Sequence, residues 1–293
     1  MPAPSYATAQ SQLTLMERAL IRPKLFLDTN ICIYAANETI PRDEWRRVLK
    51  HIEAHYSYQV SFVTVKELFA KISRGGDNRF EENKKALRTL CEPPQLDFLP
   101  YPPVFAIRTV LGLPVARRSK FPEDQLYETV CKAILQCSSK AQLKAGVPYP
   151  GKPRGLFSFD LDHFDQHENR AQKEHLDLLL GMQAGRVETS DPMELAAFLL
   201  RDFGQAFDTA SCSTLTNALS AVHTFSRNLG KLSKNKRAKL ERRENDWGDI
   251  MQLYYLSDES MHFLTCDEKC RNQTQGSTQQ NRILLYEEIV RSL

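Results

Sequence analysis

The apolar positions of this chain change period several times, and each change marks an element. Leu25-Phe26-Leu27 is a short apolar run that stops at Asp28-Thr29-Asn30. A run this short, ending in turn-forming polar residues, predicts a buried strand. A helix is expected from about Ile31. A second is expected over Arg42–His55, where Pro41 and the early acids Asp43 and Glu44 suit a helix start. Gln59-Val60-Ser61-Phe62-Val63 alternates and is rich in β-formers, which predicts another strand. Thr64 then opens a helix that keeps Leu68, Phe69 and Ile72 on one face and ends at Gly75-Gly76.

The middle of the chain reads differently. Residues 92–122 carry Pro93, Pro94, Pro100, Pro102, Pro103, Pro114 and Pro122, and predict loop or linker. Helical periodicity returns over 123–137 through Leu126, Val130, Ile134 and Cys137, and residues 146–164 are irregular. Three further helices are expected over 165–182, 192–207 and 213–229. Ser190 or Asp191 would cap the second, with Pro192 in its first turn, and Gly230 would end the third. Near the end, 246–257 predicts a helix through Ile250, Leu253 and Tyr254. His262-Phe263-Leu264-Thr265 predicts a strand, 283–286 a last strand, and 287–293 a closing helix. Both ends thus alternate strand and helix while the middle is mainly helical, and no internal repeat is visible. The expected class is α/β with a mostly parallel sheet.

Composition narrows the class without naming a function. The chain has 293 residues, 42% hydrophobic and 26% charged, which suits a folded protein with a sizeable core. No apolar run approaches the ~18–20 residues that span a bilayer. Residues 1–20 read as a loosely held arm without the basic start and apolar stretch of a signal peptide, so no membrane partner and a cytoplasmic location are expected. The seven cysteines lack paired spacing, so neither a disulfide framework nor a zinc site is suggested, Cys266 and Cys270 included. With 39 basic and 36 acidic residues the net charge of +3 does not by itself imply nucleic acid. The distribution says more. Lys231, Lys234, Lys236, Arg237, Lys239, Arg242 and Arg243 crowd a short stretch that holds one acid, Glu241, and a smaller cluster lies at Arg117, Arg118 and Lys120. Such a stretch can neutralise phosphates, or it can be a solvated helix face.

The acids carry the chemistry. Asp28 follows one apolar strand and Asp267 follows another, and active-site groups of open parallel sheets gather beyond such strand ends. Glu67 is expected in the first turn of the helix after the second strand, and Asp246 and Asp249 in the first turn of the helix before the Asp267 strand. Four sequence-distant elements thus offer a carboxylate at one edge. Gathered carboxylates repel and cost desolvation, so the natural reason to gather them is a hard divalent cation. Each acid taken singly also has a simpler reading. Thr64 through Glu67 matches a capping box, Asp246 a helix cap, and Asp28 and Asp267 turn residues. His163 and His167, at helical i, i+4 spacing in an acidic segment, form a weaker candidate that capping and solvated charge explain better.

Taken in order, Leu25-Phe26-Leu27-Asp28-Thr29-Asn30, Val63-Thr64-Val65-Lys66-Glu67-Leu68, Asn245-Asp246-Trp247-Gly248-Asp249-Ile250 and Phe263-Leu264-Thr265-Cys266-Asp267 resemble the acid-bearing segments of the PIN-domain family. The tail from Ile283 to Glu288 is similar to that family's last strand and closing helix. The resemblance covers 22–92 and 244–293. It implies a PIN-like α/β/α sandwich built from those two stretches, with 93–243 as a Pro-rich and helical insertion that departs from the family's compact form. It implies that Asp28, Glu67, Asp249 and Asp267 are catalytic and bind one or two Mg²⁺ or Mn²⁺ ions. Asp246 would be an auxiliary ligand, and Asn30 and Thr265 polar supports. The expected activity is that of a metal-dependent endoribonuclease leaving a 5′-phosphate and a 3′-hydroxyl, with the basic residues from Lys234 to Arg243 binding the RNA backbone. The acid set alone does not separate RNA from DNA. Family habit suggests a homo-oligomer, and a toxin or defence role with a protein inhibitor or antitoxin. The competing reading is a non-catalytic scaffold that binds RNA or protein.

Overall fold

In the computed structural model the description covers residues 22–75, 79–94, 96–113, 122–150, 154–166, 192–202, 204, 208–233 and 246–293. Strand β1 is Lys24–Leu27. Helices α1 (Thr29–Ala36) and α2 (Arg42–His55), strand β2 (Ser57–Gln59), and helices α3 (Phe62–Arg74) and α4 (Phe80–Leu90) follow. The middle holds α5 (Pro102–Val110), α6 (Pro122–Gln136), α7 (Lys140–Ala145), a small pair of strands β3 (Val147–Pro148) and β4 (Leu156–Phe157), then α8 (Pro192–Asp202), α9 (Thr209–Ala218) and α10 (Ser220–Ser233). The chain closes with α11 (Asp246–Leu253), a 3₁₀ turn (Tyr254–Ser257), β5 (Met261–Thr265), α12 (Glu268–Gln273), β6 (Ile283–Leu285) and α13 (Tyr286–Arg291).

Four strands form a sheet in the order β2-β1-β5-β6, with every neighbouring pair parallel. The protein is therefore α/β. After Lys24, the central strand β1 is apolar to its end because both faces are covered. Leu25 and Leu27 join one cluster with Ile52 of α2, Phe69 of α3, Leu87 of α4, Ile134 of α6 and Ile289 of α13. Phe26 points the other way, into a cluster with Phe105 of α5, Leu200 of α8, Leu215 of α9, Phe225 of α10 and Leu253 of α11. At its centre Phe26 stacks on Phe263, its register partner, at 4.9 Å, and meets Tyr255 edge-on at 5.3 Å. The described helices of the middle stretch thus complete the same two cores that bury the sheet. Among the described residues no helix is long and apolar enough to cross a membrane.

Several local expectations change. The strand expected over Gln59–Val63 lies earlier, at Ser57–Gln59, and shares only Gln59 with the expected span, because Ser61 caps α3 instead. Its hydroxyl accepts from the backbone N–H of Val63 at 3.1 Å and of Thr64 at 3.4 Å. The helix therefore starts at Phe62, and the β-branched residues Val63, Thr64 and Val65 lie buried inside it. The loop expected over 92–122 contains α5, whose two prolines occupy the first turn, where their missing N–H groups are not needed. The helix expected over 213–229 is two helices. Gln279, 3% exposed, inserts its amide at the break: Nε2 donates to the carbonyls of Asn217 and Ala218, and Oε1 accepts from Ala221 N at 2.8 Å. That one side chain satisfies groups at the end of α9 and the start of α10, and α10 then runs through Gly230 rather than ending there. The stretch 246–257 is α-helical only to Leu253, and 3₁₀ beyond it.

The irregular stretch 146–164 holds β3 and β4 as an antiparallel pair. The acidic segment near His163 is structural where it is described. Asp160 accepts from the N–H groups of Asp162 and His163 and pairs with Lys144, while Asp162 pairs with Lys140. His167, Ser190, Asp191, the arm 1–20, and Lys234 to Arg243 lie outside the described residues.

Candidate active site

The central pair of the sheet, β1 and β5, comes from opposite ends of the chain. From β1 the sheet grows outward to β2, and from β5 to β6. A parallel sheet built this way leaves a crevice beyond the carboxyl ends of its two central strands. Asp28 directly follows β1, and Thr265, the last residue of β5, is followed by Cys266 and Asp267 at the same edge.

Asp28 is 5% exposed. Its partners are Thr265 Oγ1, which donates at 2.7 Å, and the more distant Asn30 amide at 3.5 Å. It flanks the start of α1, where the backbone N–H groups of Thr29 and Asn30 approach its carboxylate without closing a well-formed capping hydrogen bond. Burial raises its pKa; hydrogen bonding from Thr265 and the nearby N–H groups of Asn30 and Thr29 offset this in part, and the charge of Asp267 adds to the rise. None of these partners carries a positive charge.

Glu67 reaches the same edge from α3. Because Ser61 is the cap, Glu67 sits in the second turn and the expected capping box with Thr64 does not form. Its carboxylate instead accepts the hydroxyl of Thr29, the residue after Asp28. Burial and the charge of Asp28 push the Glu67 pKa up to about 7, against lowering by Thr29 and Lys66.

Thr265 links two of the acids. Fully buried, it donates to Asp28 and accepts from the backbone N–H of Asp267 at 2.9 Å. Asp267 keeps its capping role as well, accepting from Lys269 N at 2.7 Å. Asp249 lies half-buried in the first turn of α11, and Asp246 begins that helix. The two supports expected from sequence, Asn30 and Thr265, are therefore both at Asp28.

The thiols nearby respond to the same field. Burial, Asp28 and Glu287 push Cys266 up to about 12, and burial with Asp28 pushes Cys32 well above its usual range. Both stay protonated, so the ready donors at this edge are oxygens. All seven cysteines are free. An open groove of about 810 Å³ adjoins Asp267 and passes Lys269, Asn272, Asn228 and Gln273. Among the described residues, no three His, Cys, Asp or Glu side chains stand together as a group that could hold a metal ion.

Sequence reasoning did not find Thr29 or Gly248. Thr29 binds Glu67, and the backbone of Gly248 lies flush against it. No family model, no curated protein and no solved structure matches this chain.

Proposed function

We propose that the chain is a divalent-metal-dependent ribonuclease of the PIN type. What carries this reading is Asp28: a carboxylate 5% exposed at the end of a central strand of a parallel sheet, hydrogen-bonded by neutral groups and within electrostatic reach of Asp267 and Glu67. A buried carboxylate without a cation is unfavourable, and a Mg²⁺ or Mn²⁺ ion supplies the missing charge. Its proposed donors are carboxylate oxygens, the ligand type such an ion prefers; among the described residues of the metal-free chain they do not stand together as a ready ligand group.

In this reading Asp28, Glu67, Asp249 and Asp267 hold one or two ions, with Asp246 auxiliary. Thr265 and Asn30 orient Asp28, and Thr29 orients Glu67. A bound divalent ion supplies an acidified water and stabilises charge on the phosphodiester oxygens. The groove beside Asp267 offers room for the nucleotides flanking the scissile bond, and the basic residues from Lys234 to Arg243 supply phosphate contacts. The sandwich architecture, the 93–243 segment as an insertion, a homo-oligomer, and an inhibitor or antitoxin partner belong to the same proposal. Cleavage of a labelled single-stranded RNA with Mn²⁺ is the direct test. Cutting that stops on chelation supports the nuclease. No cutting by a folded chain that binds the ion moves the reading to the non-catalytic scaffold.

Glu67 adds a pH signature. Its pKa rises from 4.5 to about 7 on folding. Between those values the folded chain holds a proton that the unfolded chain has lost. The metal-free protein therefore loses stability as pH rises through about 7. Ion binding needs the carboxylate, so the melting-temperature gain given by Mn²⁺ should be clearly larger at pH 8 than at pH 6. Ordinary carboxylates are fully ionised over that range and would give equal gains. Thermal melts at both pH values decide between them.

A further inference from the structure

Helix α11 meets α3 at two points, one polar and one steric. At the polar point lies Gln252, 1% exposed. Its Oε1 accepts from Ser61 Oγ at 2.7 Å, and its Nε2 donates to Thr64 Oγ1 at 2.9 Å. Thr64 Oγ1 donates in turn to the carbonyl of Leu27 at 2.8 Å, at the last residue of β1. The direction of this relay is forced. The Thr64 proton is committed to Leu27, so Thr64 can only accept from Gln252, and the amide must turn its nitrogen that way. One buried side chain thus ties the helix of Asp249 to the helix of Glu67 and to the strand end that carries Asp28.

The steric point is one turn earlier on the same face of α11, since positions i and i+4 align. It is Gly248. A Cβ there would overlap Glu67 Oε1 and stand 3.2 Å from Glu67 Cδ and 3.8 Å from Val63 Cγ1. Its backbone conformation is one that any residue adopts, so the need for glycine is one of space. The Glu67 carboxylate is held between the Thr29 hydroxyl on one side and this bare stretch of helix on the other.

We propose that Gly248 and Gln252 are positioning residues that key α11 onto α3 and thereby set where the Glu67 carboxylate stands beside Asp28. The consequence for ion binding rests on the metal-site reading above; the keying itself does not. The test therefore has two readouts. The first is the ¹³C carboxyl resonance of Glu67 in the metal-free chain, assigned by its loss in Glu67→Gln. The second is the Mn²⁺ dissociation constant from calorimetry. Gly248→Ala adds one methyl to a helix, and Gln252→Met is a near-isosteric loss of the relay, so both variants should fold. Leu143→Ala, at the one buried residue of α7, serves as a variant that is only destabilised.

Gly248→Ala and Gln252→Met should each move the Glu67 resonance and weaken Mn²⁺ binding by about tenfold or more, the usual effect of disturbing a ligand's support. Leu143→Ala should lower the melting temperature and leave both readouts at their wild-type values. Wild-type resonance and affinity in the two variants would overturn the proposal. A moved resonance in a protein that binds no Mn²⁺ even as wild type would uphold the keying and overturn the metal-site reading.

Discussion

Replacing Asp28 by Asn should reduce RNA cleavage by about 10³-fold or more while the metal-free protein melts at the same temperature or a few degrees higher. The two effects have opposite signs for one reason. Asp28 is buried, its charge is opposed by desolvation and by Asp267, and its hydrogen-bond partners are neutral. Asn keeps the shape and can still accept the Thr265 hydroxyl at its remaining oxygen. What it removes is an uncompensated charge, so folding does not suffer and ion binding does. An acid kept for structure behaves otherwise: losing it should lower stability and leave chemistry nearly intact. Melting temperature and cleavage rate measured on the same preparation separate the two.

The second large effect lies beneath the site. Phe26→Ala should cost about 3–5 kcal/mol, enough to lower the melting temperature by about 10 °C or more, because a fully buried aromatic leaves a cavity that its neighbours cannot fill. Phe26 is wholly buried, stacked on Phe263 and edge-on to Tyr255, which in turn meets Phe105 at 5.2 Å. It therefore joins β1, β5, α5 and the 3₁₀ turn at one point, two residues before Asp28. Phe26→Leu should cost much less, about 1.5 kcal/mol or below if the core repacks. Chemical denaturation of the two variants measures the difference. Equal and small losses would mean that the sheet is held elsewhere.

Much of this was readable from the amino acids. The Leu25–Leu27 run stops at a polar turn, and β1 ends there. Helix α2 has its amphipathic pattern, its acidic first turn and the bounds expected of it. Asp28 and Asp267 follow strand ends that periodicity locates, and Asn30 and Thr265 both stand at Asp28. The rest depended on partners distant in sequence. Phe62 and Val63 look like the end of a strand until the Ser61 hydroxyl caps the stretch as helix. Leu219 breaks a helix because Gln279, sixty positions on, supplies an amide to both of its ends. Gln252 reads as an ordinary polar residue on a helix, and its meaning comes from Ser61 and Thr64, almost two hundred positions away. Gly248 looks like a weak point in a helix, whereas its missing side chain is what makes room for Glu67. Local propensity and period can be read along a chain; long-range pairing of single polar groups cannot.

Calorimetric titration of Mn²⁺ into the wild type and Asp28→Asn at pH 8 tests the central claim most directly. The account predicts saturable binding to the wild type, with one or two ions per chain, and binding lost or weakened at least about a hundredfold in the variant. A wild type that binds no Mn²⁺, or a variant that binds it as tightly, would contradict the claim that Asp28 anchors a metal-dependent nuclease site.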